Sequence, residues 1–243
     1  MSAKERLDTL VVLRGLAPTR NKAQALIRAG QVLVGEEVSD KPGTRLADDL
    51  PIRLRGIPMR FVSRGGLKLE AALVHFGVNP KGLLCADLGA STGGFTDCLL
   101  QFGAQRVHAV DVGYGQLAWT LRQDSRVQVL ERTNARHLVA PDAPDDTGPR
   151  LSELVELVVG DLSFISLTHV LPAILRISGP GSQAVLLVKP QFEASKNQVG
   201  KGGVVRDPEV RQAAIDRVCQ ACAELGATVL GTMSSPVAGA KGG

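Results

Sequence analysis

Aromatic residues are scarce in this 243-residue sequence, since Phe, Trp and Tyr together make up 3% of it. Aliphatic side chains must therefore form most of any core. No apolar run approaches the roughly 18–20 residues needed to cross a membrane. The first ten residues, MSAKERLDTL, lack the apolar stretch of a secretory signal. We therefore expect a cytoplasmic protein without a membrane segment.

Cysteine and histidine are also few, at four residues each. Cys219 and Cys222 form a C-x-x-C pair, but the pair lies inside a predicted helix, and no second pair completes a zinc site. Core packing is the interpretation that this pattern favours. The histidines are scattered, and we find no Ser-His-Asp arrangement. No metal is predicted.

The composition is that of a globular protein, with 44% hydrophobic and 21% charged residues and a net charge of +4. The excess of positive charge is confined to residues 1–60, which hold 11 Lys/Arg against 7 Asp/Glu, whereas residues 61–243 hold 17 of each. This asymmetry suggests an anionic partner for the first quarter of the chain. A surplus of solvated surface lysines and arginines remains the alternative.

Two kinds of pattern divide the chain. Residues 1–60 predict a small α+β unit, with helices over 4–14 and 20–30 and short strands at 32–34 and 52–54. A linker and a helix occupy 61–82. From 83 to 243, strands alternate with helices, which predicts a parallel sheet with helices on both faces. The six predicted strands are 83–89, 106–112, 127–132, 154–162, 184–190 and 227–235.

A glycine-rich segment, DLGASTGGFTDCLL at 87–100, leads from the first of these strands into a helix. Its spacing is neither the dinucleotide fingerprint nor a P-loop. Asp87 would repel a pyrophosphate but suits the cationic amino-acid part of S-adenosylmethionine, and Asp111, after the next strand, can accept hydrogen bonds from ribose hydroxyls. The segment therefore favours S-adenosylmethionine over NAD. The glycines that allow a ligand to approach the backbone are Gly89, Gly93 and Gly94.

Two further strand ends carry charged residues, Asp161 and Lys189, and both should lie on the same rim as Asp87. Lys68, on the helix before the sheet, could reach that rim. Two adjacent cations and burial favour a neutral amine that can accept a proton, and a carboxylate between them holds the group together. This set suits methyl transfer to a sugar hydroxyl. Taken singly, each lysine could equally be a solvated surface charge.

The motifs FVSRGGLKLEAAL, DLGASTGGFTDCLL, VVGDLSFISL and LLVKPQFEASKNQVGKGGVV resemble, nearly end to end, the TlyA-type ribosomal RNA methyltransferases, also called hemolysin A. The first 60 residues are similar to the S4-type RNA-binding domain of that family. The resemblance implies a Rossmann-like, FtsJ-like class I methyltransferase domain that acts on ribose 2′-hydroxyls of rRNA cytidines, with S-adenosylmethionine as cofactor and ribosomal subunits as partners.

Residue by residue, the resemblance places the catalytic Lys-Asp-Lys of the family on Lys68, Asp161 and Lys189. Arginines and lysines of the first domain would neutralise RNA phosphates, and the scarcity of aromatics favours recognition of a folded RNA shape. The expected cofactor-binding residues are Asp87, Gly89, Ala90, Ser91, Thr92, Gly93, Gly94 and Asp111, and the expected RNA-binding residues are Arg6, Arg20, Lys22, Arg28 and Arg64.

The family pattern continues beyond SSPVAGAKGG, at 234–243, to a last strand with a closing glutamate. We expect this strand to be missing here and the sheet edge to be exposed. Glu193 lies close to Lys189 in sequence, but it matches a different family position and is not assigned to the catalytic group. Two alternatives stay open: a non-catalytic RNA-binding or ribosome-assembly protein, and a membrane-lysing protein, as the hemolysin name suggests.

Overall fold

The computed structural model describes residues 4–47, 50–55, 60–144, 148–200 and 202–237. Residues 238–243, the last six of the segment SSPVAGAKGG, therefore lie outside the described residues. The chain divides into two compact units, one formed by residues 1–59 and the other by residues 60–239.

The first unit packs two helices on short strands. Helix α2 begins after Thr19, whose side chain accepts a hydrogen bond from Lys22 N. The helix expected from residue 4 begins only at Leu7, because Lys4–Arg6 pair antiparallel with 45–47. The elements are β1 (Lys4–Arg6), α1 (Leu7–Leu13), α2 (Arg20–Arg28), β2 (Val32–Val34), β3 (Glu37–Val38), β4 (Arg45–Ala47) and β5 (Ile52–Leu54).

The second unit alternates strands with helices, which confirms the predicted α/β class. Three short 3₁₀ helices, Ala135–His137, Leu167–His169 and Lys196–Gln198, lie in its loops. The main elements are α3 (Gly65–Phe76), β6 (Leu84–Leu88), α4 (Gly94–Gln101), β7 (Arg106–Val110), α5 (Trp119–Arg122), β8 (Val127–Leu130), β9 (Val155–Gly160), α6 (Leu171–Ile177), β10 (Ser178–Leu186), α7 (Pro190–Glu193) and α8 (Pro208–Glu224).

Five strands are described in this unit, and they form one parallel sheet in the order β10-β9-β6-β7-β8. The order runs outward in both directions from the β6–β9 pair, so the direction of chain progression reverses between these two strands. In open α/β sheets, ligands bind outside the carboxyl ends of the strands at such a switch point. The fold therefore directs attention to the residues that follow β6 and β9.

Aliphatic side chains cover both faces of the sheet, as the scarcity of aromatics required. One face packs Leu157 and Val159 against Leu69 of α3 and Leu99 of α4. The opposite face packs against α6, and its buried residues are Ala86, Leu88, Val110, Ala135, Leu138, Leu151, Val155, Val158, Val170, Leu171, Ala173, Ile174 and Ile177. Burial on both faces explains why the central strands read as continuous apolar runs.

The prediction of a strand at 227–235 is wrong. The structure shows irregular backbone there, without a ladder to any described strand, and Leu230 is 81% exposed. A β-prone segment becomes a strand only where another strand offers its unpaired hydrogen-bonding groups at a suitable distance. The ladder of β10 to β9 is the last one on its side of the sheet, so β10 is the edge strand there.

Candidate active site

Three strand ends deliver charged residues to one rim of the sheet. Asp87 lies near the end of β6, Asp161 directly follows β9, and Lys189 lies three residues beyond β10. The backbone N–H of Asp161 donates to the Leu88 carbonyl at 3.2 Å, which holds the start of this loop against β6. The rim that the sequence predicted is therefore the rim at the switch point.

Lys68 reaches this rim because α3 and α4 start close together. A Cβ at Gly94 would lie 2.2 Å from Ser63 Oγ, and one at Gly66 would lie 2.3 Å from the ring of Phe61. A Cβ at Gly94 would also lie 2.9 Å from Gly66 N in the first turn of α3, so only glycine at this position allows α4 to approach α3 so closely, whereas Gly66 makes room for Phe61. The first turn of α3 is thereby held beside the start of α4, and Lys68 is the fourth residue of α3.

The structure brings Lys68, Asp161 and Lys189 together. Lys68 Nζ lies 2.9 Å from Asp161 Oδ2, and Lys189 Nζ lies 2.7 Å from Asp161 Oδ1. Lys189 also donates to the Asp161 carbonyl at 3.3 Å and to Ser163 Oγ at 2.7 Å. The three charged side chains are 18–20% exposed, so the cluster is mostly buried but reachable from solvent.

The two lysines determine the charge state of Asp161. Burial alone would raise the pKa of this carboxyl, but the hydrogen bonds and charges of Lys189 and Lys68 outweigh burial and hold the pKa below its ordinary value. Asp161 is therefore a carboxylate at neutral pH and a weak base. Its position between two cations suits it to orient them.

The glycine loop has a backbone that few other residues could adopt. Gly89 and Gly93 have φ values of +85° and +97°, and a Cβ at Gly93 would lie 2.2 Å from Leu121 Cδ1. Asp111, at the end of β7, accepts hydrogen bonds from Ser91 N at 2.8 Å and from Gly113 N at 2.7 Å. The loop 89–93, with Ala90, Ser91 and Thr92 at its centre, is thus tied to the second acid that the sequence singled out.

Asp87 is fully buried beneath this loop. Its Oδ2 accepts from Thr96 Oγ1 at 2.7 Å, whereas Oδ1 is buried with no hydrogen-bond partner among the described residues. Burial raises the pKa of Asp87 to about 7, although Thr96 lowers it in part. A buried acceptor without a donor fits a ligand that brings a cationic donor, as the ammonium group of S-adenosylmethionine would.

Two residues that the sequence reasoning did not assign to the site adjoin the cluster. Ser163 accepts the hydrogen bond from Lys189, and Phe164 is 92% exposed with φ +65°. The ring of Phe164 lies 5.4 Å from that of Phe192. An exposed phenylalanine in a left-handed conformation is rare and often marks a functional site. Because Phe164 follows Asp161 by only three residues, the sequence alone could have placed it near the cluster.

The predicted RNA-binding residues of the first unit differ in their surroundings. Arg6 and Arg20 both contact the buried carboxylate of Asp8, at 2.9 and 3.1 Å, and keep partly exposed side chains. The hydrogen bond from Arg6 is the main cause of the lowered pKa of Asp8. Lys22 and Arg28 are exposed on α2. Arg64 belongs to the second unit, where it is exposed at the start of α3.

Metal-binding clusters of His, Cys, Asp or Glu do not occur among the described residues. All four cysteines are free thiols, and Cys85 and Cys98 are buried. In the part of the chain that the structure describes, no helix is long and apolar enough to cross a membrane.

A parallel sheet with an acid and a glycine loop at its switch point defines a Rossmann-like methyltransferase domain. The chain belongs to the FtsJ-like methyltransferase family, whose pattern matches residues 61–243, and residues 5–49 match the S4 domain. This confirms the family resemblance seen in the sequence motifs.

Several relatives match nearly the whole chain. The Mycobacterium tuberculosis 16S/23S rRNA (cytidine-2′-O)-methyltransferase TlyA is 47% identical over 100% of this chain and 88% of its own length. Hemolysin A of Brachyspira hyodysenteriae is 40% identical over 98% of this chain and 95% of its own length. A solved structure from Streptococcus thermophilus that bears the name hemolysin is 42% identical, has a TM-score of 0.74, and is matched over 100% of this chain and 86% of that chain.

Proposed function

We propose that this chain transfers a methyl group from S-adenosylmethionine to the 2′-hydroxyl of cytidine in ribosomal RNA. The observation that carries the proposal is the Lys68–Asp161–Lys189 cluster at the switch point of the sheet, beside the glycine loop. The 47% identity to an rRNA (cytidine-2′-O)-methyltransferase supports the choice of substrate. The site of action would then be the cytoplasm, where ribosomal subunits are found.

The cofactor would lie along the glycine loop. Asp87 offers its unpartnered Oδ1 to a cationic donor, and the Asp111 carboxylate adjoins the loop backbone, where ribose hydroxyls could donate to it. Gly89 and Gly93 give the loop the left-handed backbone that turns it past the strand ends, and Ala90, Ser91, Thr92 and Gly94 complete the loop along which the cofactor would lie. Bound there, S-adenosylmethionine would supply an electrophilic methyl group.

The chemistry of the protein concerns the acceptor hydroxyl. A ribose hydroxyl is a poor nucleophile at neutral pH, and its oxygen must lose a proton as the new bond to carbon forms. As an ammonium group, Lys189 stabilises the developing alkoxide while the proton passes to water, and Lys68 supplies a second positive charge. Only in its neutral form would Lys189 take up the proton itself. Asp161, a weak base between them, orients both ammonium groups and balances their charge.

The substrate would reach the cluster as a nucleotide turned out of the folded RNA. Phe164 is exposed at the cluster and offers a face on which a base can stack, a contact worth about 1–3 kcal/mol. Arg6, Arg20, Lys22 and Arg28 of the S4 domain, with Arg64, would contact phosphates and hold the RNA without reading its sequence. In Arg6 and Arg20 the guanidinium groups are already ordered by Asp8.

Transfer of labelled methyl from S-adenosylmethionine to purified ribosomal subunits tests the proposal. Because a 2′-O-methyl group blocks cleavage of the neighbouring phosphodiester by alkali, the label should appear in alkali-resistant dinucleotides that begin with methylated cytidine. Label on a base, or on protein, would contradict ribose methylation. Cofactor binding with no transfer to either subunit would instead support a non-catalytic RNA-binding role.

A further inference from the structure

Glu193 is a buried carboxylate that the proposed chemistry does not use. It is 3% exposed, and burial of a carboxylate is costly unless hydrogen bonds satisfy it. Glu193 Oε2 accepts from Ser166 Oγ at 2.5 Å, and Oε1 accepts from Leu167 N at 2.8 Å. Both donors are neutral, so this carboxylate is held by hydrogen bonds to the loop that follows β9.

These hydrogen bonds join the two loops that carry the charged cluster. Ser166 lies five residues after Asp161, and Glu193 lies four residues after Lys189. The same loops are also joined by the 2.7 Å contact of Lys189 with Asp161 and by the ring contact of Phe164 with Phe192. The loops therefore meet at three places, of which the Glu193 contacts are the most buried.

The main chain of Glu193 is also fixed, in this case to helix α8. Arg217 of α8 donates from Nη1 to the Glu193 carbonyl at 2.5 Å. The segment from Lys189 to Glu193 is thus anchored at its far end by its main chain and by its side chain. A movement of this anchor would change the position of Lys189 relative to Asp161.

We propose that Glu193 is a positioning residue, which holds the Lys189 loop against the Asp161 loop and so maintains the charged cluster. The catalytic consequence rests on the proposed function, whereas the structural coupling does not. A shift of about 1 Å at reacting groups can cost roughly 100-fold in rate. Loss of the Glu193 contacts should therefore lower the rate of methyl transfer and leave the glycine loop, and with it cofactor affinity, unchanged.

Glu193→Gln and Glu193→Ala separate hydrogen bonding from charge. Glutamine keeps an acceptor for Leu167 N, and its amide can donate to Ser166 Oγ, so Glu193→Gln should keep kcat within about threefold. Glu193→Ala should lower kcat about 10- to 100-fold with little change in KM for S-adenosylmethionine. Glu224→Ala, an exposed glutamate of α8, is the matched control. Equal losses in Glu193→Gln and Glu193→Ala, or none in Glu193→Ala, would overturn the proposal.

A second measurement needs no activity. The Asp161 carboxyl titration, followed by ¹³C NMR and assigned with Asp161→Asn, reports contact with Lys189. The pKa of Asp161 should rise toward its ordinary value in Glu193→Ala and, if that variant does not fold, in the milder Ser166→Ala. An unchanged Asp161 titration in both would overturn the proposal. Failure of the wild-type protein to methylate rRNA would count against the proposed function alone, because the titration would still decide the role of Glu193.

Discussion

Lys189 Nζ lies 2.7 Å from Asp161 Oδ1, although the two residues are 28 positions apart in the sequence. Neighbouring parallel strands, β9 and β10, bring the residues that follow them to the same edge of the sheet. With Lys68 on the other carboxylate oxygen, one negative charge holds two positive ones. The net charge of the cluster is thus positive, as stabilisation of an alkoxide would require.

Asp161→Asn should lower the stability of the folded protein at neutral pH. Because the folded-state pKa of Asp161 is below its ordinary value of about 3.9, the carboxylate stabilises the fold fully above that value. This stabilisation is lost as the pH falls through the folded-state pKa. We expect a loss of about 1–3 kcal/mol at pH 7, between the values for exposed and buried ion pairs. Urea unfolding of both proteins between pH 3 and pH 8 measures it, and a difference that grows toward acid would contradict the assignment.

Asp87 should show the opposite dependence. Burial raises its pKa to about 7, so between the ordinary value of about 3.9 and about 7 the folded state binds the proton more strongly than the unfolded state does. In the absence of cofactor, wild-type stability should therefore fall relative to Asp87→Asn as the pH rises through this range, and the difference should be constant above it. Urea unfolding at pH 5, 7 and 9 is the measurement. Parallel curves for the two proteins would show that the carboxyl titrates normally.

Gly93→Ala should distort the glycine loop and lower the stability of the protein. The left-handed φ alone costs alanine about 1–2 kcal/mol, and overlap with Leu121 and Leu117 adds about 1–3 kcal/mol. Gly226→Ala is the control, since φ is +80° there but a Cβ meets nothing within 4 Å. Gly93→Ala should lose more stability than Gly226→Ala and should bind S-adenosylmethionine more weakly by calorimetry. Equal losses of stability, with unchanged cofactor affinity, would mean that the loop accommodates the added methyl group without further strain.

Lys22→Gln and Arg28→Gln should each weaken RNA binding, and more so at low salt. Each lost phosphate contact should reduce the slope of log K against log salt by about 0.7–0.9. Lys81→Gln, an exposed lysine of the second unit outside the proposed RNA surface, is the control with an equal change in charge. Filter binding of rRNA fragments at several salt concentrations gives the slopes. If all three variants have the same slope, the effect is one of net charge and not of α2.

Much of this site was visible in the sequence because it depends on strand ends. Asp87, Asp161 and Lys189 each follow or end an apolar run, and a parallel sheet places such positions on one edge. The alternation of elements therefore sufficed to predict which residues would meet. The family motifs placed Lys68 in the same group, and the structure adds how α3 brings it there.

Other features depend on contacts that periodicity does not reveal. The strands β1, β3 and β4 have two or three residues each, too few for an alternating pattern. Residues 227–235 had the composition of a strand but pair with no strand that the structure describes. The approach of α3 to α4 depends on the absence of a side chain at Gly94. Nothing in the sequence indicated that Glu193 is buried, because its hydrogen-bond donors lie 26 and 27 residues away.

Methyl transfer by Lys189→Ala, compared with Lys81→Ala, tests the central claim most directly. Both proteins would be incubated with labelled S-adenosylmethionine and ribosomal subunits, and cofactor binding would be measured in parallel by calorimetry. The cluster predicts a loss of about 100- to 10,000-fold in Lys189→Ala with cofactor affinity retained, and normal transfer by Lys81→Ala. Transfer by Lys189→Ala at the wild-type rate would contradict a catalytic role for the Lys68–Asp161–Lys189 cluster.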